Sequence, residues 1–182
     1  MSNSNSNNNN NNNKINSNKI AGKLIPAIIS VILLVSFDQI TKYLVDSNMF
    51  LYDYISIIPN VLDIHYIINN GAAWGLLENK QILFYIITCI VLILSVSVYI
   101  KLASKDQFKD LRILILLIIS GAIGNFIDRI RFKYVIDFIY FKIINFPVFN
   151  IADCYVTIGV FIMLFLFIFK YKEEDFDSIL KK

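Results

Sequence analysis

The sequence predicts an α-helical membrane protein with four transmembrane helices and a small extracytoplasmic β-sheet or lid segment between helices 1 and 2. Hydrophobic residues make up 57% of the 182 residues and charged residues only 17%, whereas soluble domains have about 25% charged residues. The apolar residues form four runs of about 20 residues, the length that crosses roughly 30 Å of hydrocarbon. Between the first two runs lies a segment with the alternating pattern of a strand.

The chain divides into a polar N-terminal tail, a membrane domain and a charged C-terminal tail. Residues 1–23 are rich in Asn and have too little apolar surface to fold, so we expect them to be disordered. Residues 24–170 form one four-span domain, and residues 171–182 form a charged cytoplasmic tail. The spans are predicted at about 24–45, 81–100, 111–130 and 151–169.

The distribution of charge predicts the orientation in the membrane. Eleven of the 17 basic residues lie before the first span, in the short second connection or in the C-terminal tail. These faces are therefore predicted to be cytoplasmic, and both termini with them. The segment from residue 38 to residue 80 has five acids and two lysines, which suits the outer side. A net charge of only +3 gives no indication of a nucleic-acid partner.

The outer segment after the first span has strand character. Ile64, Tyr66 and Ile68 alternate with residues of the opposite face, and the pair Asn70 and Gly71 follows. Such alternation before an Asn-Gly pair is typical of a strand that enters a tight turn. We therefore expect a small sheet within residues 50–79, resting on the outer membrane surface.

Charged residues in or beside a span are costly, so each is a candidate functional residue. Asp38 and Lys42 are four residues apart near the end of the first span, an order that favours an ion pair. The pair is either purely structural or contacts a substrate or the site. Asn125, Asp128 and Arg129 share one face near the end of the third span. Asp128 is expected to orient Arg129, which is then able to bind a carbonyl or carboxylate.

Two further acids lie on the same predicted side of the membrane. Asp137 and Asp153 are 16 residues apart and are joined by an apolar connector that contains Pro147. Taken singly, Asp137 is an interfacial acid, and Asp153 is part of a helix N-terminus capped by Asn150. Taken together, two converging carboxylates share a proton, so that one acts as a base on water and the other as an acid.

The remaining residues limit the other kinds of chemistry. His65 is the only histidine, which excludes sites with several histidine ligands and argues against a Ser-His-Asp arrangement. Cys89 and Cys154 are too few for a disulfide scaffold, and we expect both to be small buried hydrophobes. A proton-coupled transporter or channel subunit that uses the two acids as a relay remains an alternative. So does an assembly protein without catalytic activity.

Taken together, the motifs resemble the lipoprotein signal peptidase (signal peptidase II) family of bacterial membrane aspartic proteases. The resemblance covers residues 24–170 and rests on four blocks in the family's order. The blocks are Asp38-Gln39-Ile40-Thr41-Lys42, Asn69-Asn70-Gly71-Ala72-Ala73, residues 121–129, and residues 135–138 paired with residues 149–153.

The resemblance implies an endopeptidase of the bacterial cytoplasmic membrane, with its active site at the outer face. It implies that this enzyme removes signal peptides from diacylglyceryl-modified prolipoproteins, just before the lipidated cysteine. Its expected partners are these substrates and membrane lipid, without nucleic acid, metal or organic cofactor. The catalytic dyad is expected to be Asp137 and Asp153. The residues expected to bind substrate or shape the pocket are Asn69, Gly71, Asn125, Arg129 and Asn150. The residues expected to support the site are Asp38, Lys42 and Asp128.

Overall fold

Four helices long and apolar enough to span a membrane form the framework of the protein. The computed structural model describes residues 3–71, 80–172 and 174–175, with side chains from residue 20 onward. The helices are α1 (Asn3–Asn48), α2 (Gln81–Ala103), α3 (Lys109–Phe132) and α4 (Ile151–Phe169). The predicted four-helix membrane fold is confirmed.

The backbone of α1 extends beyond the predicted first span. It is helical from Asn3, and the part long and apolar enough to cross a membrane is Ile20–Asn48. Pro26 lies within this helix, and its carbonyl oxygen accepts a hydrogen bond from the hydroxyl of Ser30 at 2.9 Å. Asn has a low helix propensity, and the disorder expected for residues 1–23 stays a prediction.

Helix α3 is the central helix and packs against α1, α2 and α4. Its glycines permit the close approach of its neighbours. A Cβ atom at Gly121 would lie 2.3 Å from the carbonyl oxygen of Ala152 in α4. A Cβ atom at Gly124 would lie 2.6 Å from Asp38 Oδ2 in α1. These glycines bring the backbones that carry the polar residues close together.

A three-stranded antiparallel sheet lies beside one end of the helices. Its strands are β1 (Tyr54–Ile58), β2 (Leu62–Asn69) and β3 (Val135–Phe141), in that order across the sheet. The strand predicted around residues 63–68 is therefore present as β2. The expectation that the sheet lies wholly within residues 50–79 is wrong, because β3 comes from the connection between α3 and α4.

The end of α3 leads directly into β3. Lys133 adopts a left-handed conformation with φ of 70°, and its N–H donates to the carbonyl oxygen of Arg129 at 3.1 Å. This C-cap reverses the chain. The backbone N–H of Ile136 then donates to Asp128 Oδ2 at 3.3 Å, so that α3 and β3 are joined by a side chain as well as by the turn.

The other end of the helices is held by ion pairs between elements. Lys23 of α1 pairs with Asp106 in the 3-10 turn Asp106–Phe108, and Lys170 pairs with Asp110. Arg112 donates to the carbonyl oxygen of Leu102 at 2.9 Å. These contacts lie far along the helices from the sheet, and the rest of the polar network described below lies at the sheet end.

Candidate active site

A cavity of about 640 Å3 lies where the sheet meets α3 and α4. Its polar lining comprises Asn69, Gly71, Asn125, Arg129, Asp137 and Asp153. Its apolar lining includes Val135, Phe141, Ile144, Phe149, Ile158 and residues 146–148. Residues 146–148 alone are called the wall. Asp137 from β3 and Asp153 from α4 therefore open into one space, as their pairing in the sequence analysis requires.

Asn150 connects the two acids. It is the N-cap of α4, where its side-chain oxygen accepts from the Asp153 N–H at 3.0 Å. Asp153 Oδ2 accepts from the backbone N–H of Asn150 at 3.1 Å, which completes a capping box. The side-chain amide of Asn150 also donates to Asp137 Oδ1 at 2.6 Å. The predicted N-cap is thus present, and it also fixes the carboxylate from the neighbouring strand.

Two further amides complete the contacts of the carboxylates. Asn69 donates to Asp137 Oδ2 at 2.8 Å, and Asn125 donates to Asp153 Oδ1 at 2.7 Å. Each of the four carboxylate oxygens therefore accepts one N–H from an asparagine. A carboxylate oxygen has a second lone pair, so both acids retain acceptor capacity toward the cavity.

The surroundings of Asp137 change its acidity. Burial and the nearby charge of Asp153 raise the pKa of Asp137 to about 7. Hydrogen bonds from Asn69 and Asn150 and the charge of Lys42 act in the opposite direction but do not cancel the effect. Two carboxyl groups in such a position titrate as a pair. A proton shared between them near neutral pH is the state expected of an acid and base pair.

A buried ionic cluster lies behind the two acids. Lys42 Nζ lies 3.0 Å from Asp38 Oδ2, 2.9 Å from Asp128 Oδ2 and 3.0 Å from Asn125 Oδ1. The three charged side chains are at most 2% exposed. The predicted Asp38–Lys42 pair is therefore present and also reaches the site through Asn125.

The prediction that Asp128 pairs with Arg129 is wrong. Within the described residues, Asp128 forms its ion pair with Lys42 and none with Arg129. The reason is geometric, because Asp128 faces α1 whereas Arg129 lines the cavity. Arg129 donates to the carbonyl oxygen of Gly71 at 3.3 Å, and its guanidinium lies 4.4 Å from the ring centroid of Phe84. The guanidinium is thus held by α2 and by the end of β2.

The chain is similar to known membrane enzymes. The family model for signal peptidase (SPase) II matches residues 30–169. A lipoprotein signal peptidase from Streptococcus pyogenes serotype M1 is 41% identical over 152 residues, which cover 83% of this chain and 96% of the relative. The chain belongs to the signal peptidase II family. The serotype M5 (strain Manfredo) relative has the same identity and coverage.

The fold agrees with this assignment to the signal peptidase II family. A bacterial membrane enzyme structure determined by the in meso method at 2.3 Å resolution matches with a TM-score of 0.72 and 40% identity. The match covers 83% of this chain and 94% of that chain. Signal peptidase II proteins are aspartic-type proteases, and the family does not favour the alternative of a proton-coupled transporter.

Three parts of the site were missed by sequence reasoning. Gln39 Nε2 donates to Asp128 Oδ1 at 2.9 Å and to the carbonyl oxygen of Gly124 at 3.2 Å, which ties α1 to α3. Strand β3 and the wall were interpreted as an apolar connector. The only signal for Gln39 was its place in the block that contains Asp38 and Lys42.

Neither cysteine is fully buried, as both were expected to be. Cys89, expected to be buried, is exposed, because it lies on an apolar face of α2 that packing within the described protein leaves uncovered. Cys154 is partly buried and contributes to the lining of the cavity. The last part of the expected sheet or lid segment, residues 72–79, lies outside the described part of the chain.

Proposed function

We propose that Asp137 and Asp153 are the catalytic dyad of an endopeptidase that removes signal peptides from diacylglyceryl-modified prolipoproteins, just before the lipidated cysteine. The observation that carries the proposal is the pairing of the two acids. Both carboxylates open into one cavity, and each oxygen is held by one asparagine N–H. This leaves their remaining lone pairs available for a water molecule and a peptide carbonyl.

The two acids have different roles because their surroundings differ. Asp153 lies in the first turn of α4, where the helix dipole and a backbone N–H favour a negative charge. Asp137 lies on strand β3, which has no comparable dipole, so we assign the proton of the coupled pair to Asp137. Asp153 then takes a proton from water as the water oxygen attacks the carbonyl carbon. Asp137 donates its proton to the carbonyl oxygen, which gives a tetrahedral intermediate. Asp153 then passes the proton that it took from water to the amide nitrogen as the C–N bond breaks, and Asp137 takes back a hydroxyl proton of the intermediate as the carbonyl reforms.

The lining of the cavity suits a substrate with one polar and one apolar part. Asn69, Gly71, Asn125 and Arg129 surround the acids and present donors and acceptors to a peptide backbone. Arg129 is already held against the Phe84 ring, so little side-chain freedom is lost when it donates to a carbonyl. The apolar remainder of the cavity accommodates acyl chains and the hydrophobic part of a signal peptide.

Asp38, Lys42 and Asp128 stabilise the position of the two acids from the side of α1. Asp38 Oδ1 accepts from the backbone N–H of Ala152 at 2.9 Å, at the start of α4. Lys42 connects Asp38 and Asp128 to Asn125. These contacts join α1, α3 and α4 directly beneath Asp153. We infer that they position the dyad and do not touch the substrate.

The proposed location is the outer face of the bacterial cytoplasmic membrane, with both termini in the cytoplasm. The excess of Lys and Arg at the ends of the helices remote from the sheet supports this orientation. A site at the outer surface meets a substrate whose acyl chains are in the bilayer and whose mature chain is in water. Membrane lipid and prolipoproteins are the proposed partners, and nucleic acid is not one.

The proposal is tested with two synthetic substrates that differ only at the cysteine, one diacylglyceryl-modified and one unmodified. Purified protein in detergent is expected to cut the modified substrate, and mass spectrometry should place the cut before the cysteine. Equal cleavage of both substrates, or a cut elsewhere, contradicts the proposal. Reconstituted liposomes provide the test of the transporter alternative, which requires a proton flux that an Asp137→Asn substitution removes.

A further inference from the structure

A second hollow adjoins the active cavity in the described part of the chain. Its volume is about 440 Å3. The wall, residues 146–148, lines both this hollow and the active cavity. The remaining lining residues of the hollow are His65, Ile67, Tyr140 and Asn145. This space is called the His65 hollow. The wall separates it from the cavity that contains the two acids.

The chain immediately after the wall is fixed close to Asp137. The N–H groups of Phe138 and Ile139 both donate to the carbonyl oxygen of Phe149, at 3.0 Å and 2.8 Å. The Phe149 N–H donates back to the Ile139 carbonyl oxygen at 3.0 Å. Tyr140 lies three residues after Asp137 on β3, which is about 10 Å along a strand. An extended peptide of about three residues covers the same distance.

The His65 hollow has a mixed lining of hydrogen-bonding and apolar side chains. The Tyr140 hydroxyl donates to Asn145 Oδ1 at 2.7 Å, and the rings of His65 and Tyr140 are edge to face at 5.8 Å. Asn145 itself is held in the left-handed region with φ of 47°. A phenol, an imidazole and an amide offer hydrogen bonds to a peptide backbone, Ile67 and the wall offer apolar contacts, and no Asp, Glu, Lys or Arg of the described residues lines the hollow. This lining suits an extended uncharged peptide.

We propose that the His65 hollow binds the first residues of the mature chain, immediately after the lipidated cysteine, as an extended uncharged peptide. The inference rests on the proposed function. The bilayer side of the cavity receives the acyl chains and the signal peptide, so the mature chain leaves past the wall. His65, Tyr140 and Asn145 then determine which mature N-termini are cut efficiently, and none of them is a catalytic residue.

The test uses two diacylglyceryl-modified substrates with the same signal peptide. One ends at the cysteine as an amide, and the other continues with four residues of Ser and Gly. The parent protein is expected to have a kcat/KM about fivefold higher for the longer substrate, the effect of one ordinary hydrogen bond. The difference should lie mainly in KM, because the hollow binds the substrate equally well before and during the reaction.

Two substitutions and one matched control complete the design. His65→Ala and Tyr140→Phe should each reduce the preference for the longer substrate, and the double variant should remove it. Activity on the shorter substrate should remain, which also shows that the variants are folded. Tyr43→Phe changes an exposed tyrosine of α1 outside the hollow and should keep the preference.

A photoreactive group at the third mature residue gives an independent readout that needs no turnover. With an Asp153→Asn variant, crosslinking should label peptides that contain β2 or the wall. Equal kcat/KM for the two substrates in the parent, an unchanged preference in the double variant, or labelling elsewhere overturns this inference. A parent protein that cuts neither substrate instead contradicts the proposed function, and the inference falls with it.

Discussion

The side-chain amide of Asn150 donates to Asp137 at 2.6 Å, although Asn150 belongs to the start of α4 and Asp137 to β3. Asn150 also caps α4 through the Asp153 N–H. The residue that begins the helix therefore sets the relative position of the two acids. Most N-caps only satisfy the free N–H groups of a helix, whereas this one also assembles a site from two elements.

Substitutions of Asn150 should separate the cap from the site. Asn150→Ala removes both contacts and should lower the free energy of unfolding by about 1 kcal/mol while abolishing most of the activity. Asn150→Ser restores a good capping oxygen but has no amide to reach Asp137. It should recover stability and remain inactive in a peptide-cleavage assay. Recovery of activity in the serine variant would contradict this role of the amide.

Removal of the buried lysine should destabilise the protein strongly. Lys42→Met leaves Asp38 and Asp128 buried without their counter-charge, a loss expected to be about 3–5 kcal/mol. Thermal unfolding in detergent measures the effect. Lys23→Met provides the matched control, since its partner Asp106 is 74% exposed and such pairs contribute about 0–1 kcal/mol. Equal effects of the two substitutions would show that the cluster is not held by charge.

The contact between α3 and α4 should not tolerate a methyl group. Gly121→Ala places a Cβ atom 2.3 Å from the Ala152 carbonyl oxygen, which is backbone and cannot rotate away. We expect the free energy of unfolding to fall by about 1–3 kcal/mol. Activity should also fall, because Asp153 shifts relative to Asn125. Gly22→Ala is the control, because nothing lies within 4 Å of its Cβ position. If Gly121→Ala proves as harmless as the control, the packing argument is wrong.

Much of this fold follows from simple patterns in the sequence. Apolar length predicted the four helices, and the acid-first spacing of Asp38 and Lys42 predicted their ion pair. Strand β3 was missed because its first four residues are all buried, so that apart from Asp137 the segment has the continuous apolar pattern of a buried run and not an alternation. The Lys42 contact of Asp128 was missed because spacing within one helix says nothing about which neighbouring helix a side chain faces.

The stability of the protein should depend on pH through Asp137. Burial and the charge of Asp153 raise the pKa of this carboxyl to about 7, whereas an unfolded aspartate has a value of about 3.9. The folded state therefore binds the proton more tightly, which stabilises it at low pH. This stabilisation is complete below about pH 4 and is lost as the pH rises to about 7, at up to about 1.4 kcal/mol per pH unit.

Asp137→Asn has no such proton to lose. The melting temperature of the parent minus that of the variant, measured in detergent from pH 4 to pH 8, should therefore fall as the pH rises. Parallel curves for the two proteins would mean that Asp137 titrates at its ordinary pKa in the folded protein.

Asp137 and Asp153 are proposed to act together on the peptide bond. The decisive measurement is the single-turnover rate of cleavage of a diacylglyceryl-modified prolipoprotein by Asp137→Asn, Asp153→Asn and Asp63→Asn variants. Asp63 is the matched control, because it is an acid of the same sheet that is 2% exposed but does not line the cavity. Both dyad variants should fold and lose at least about a hundredfold in rate, whereas Asp63→Asn should cleave nearly as well as the parent. A dyad variant that cleaves as fast as Asp63→Asn would contradict this joint action.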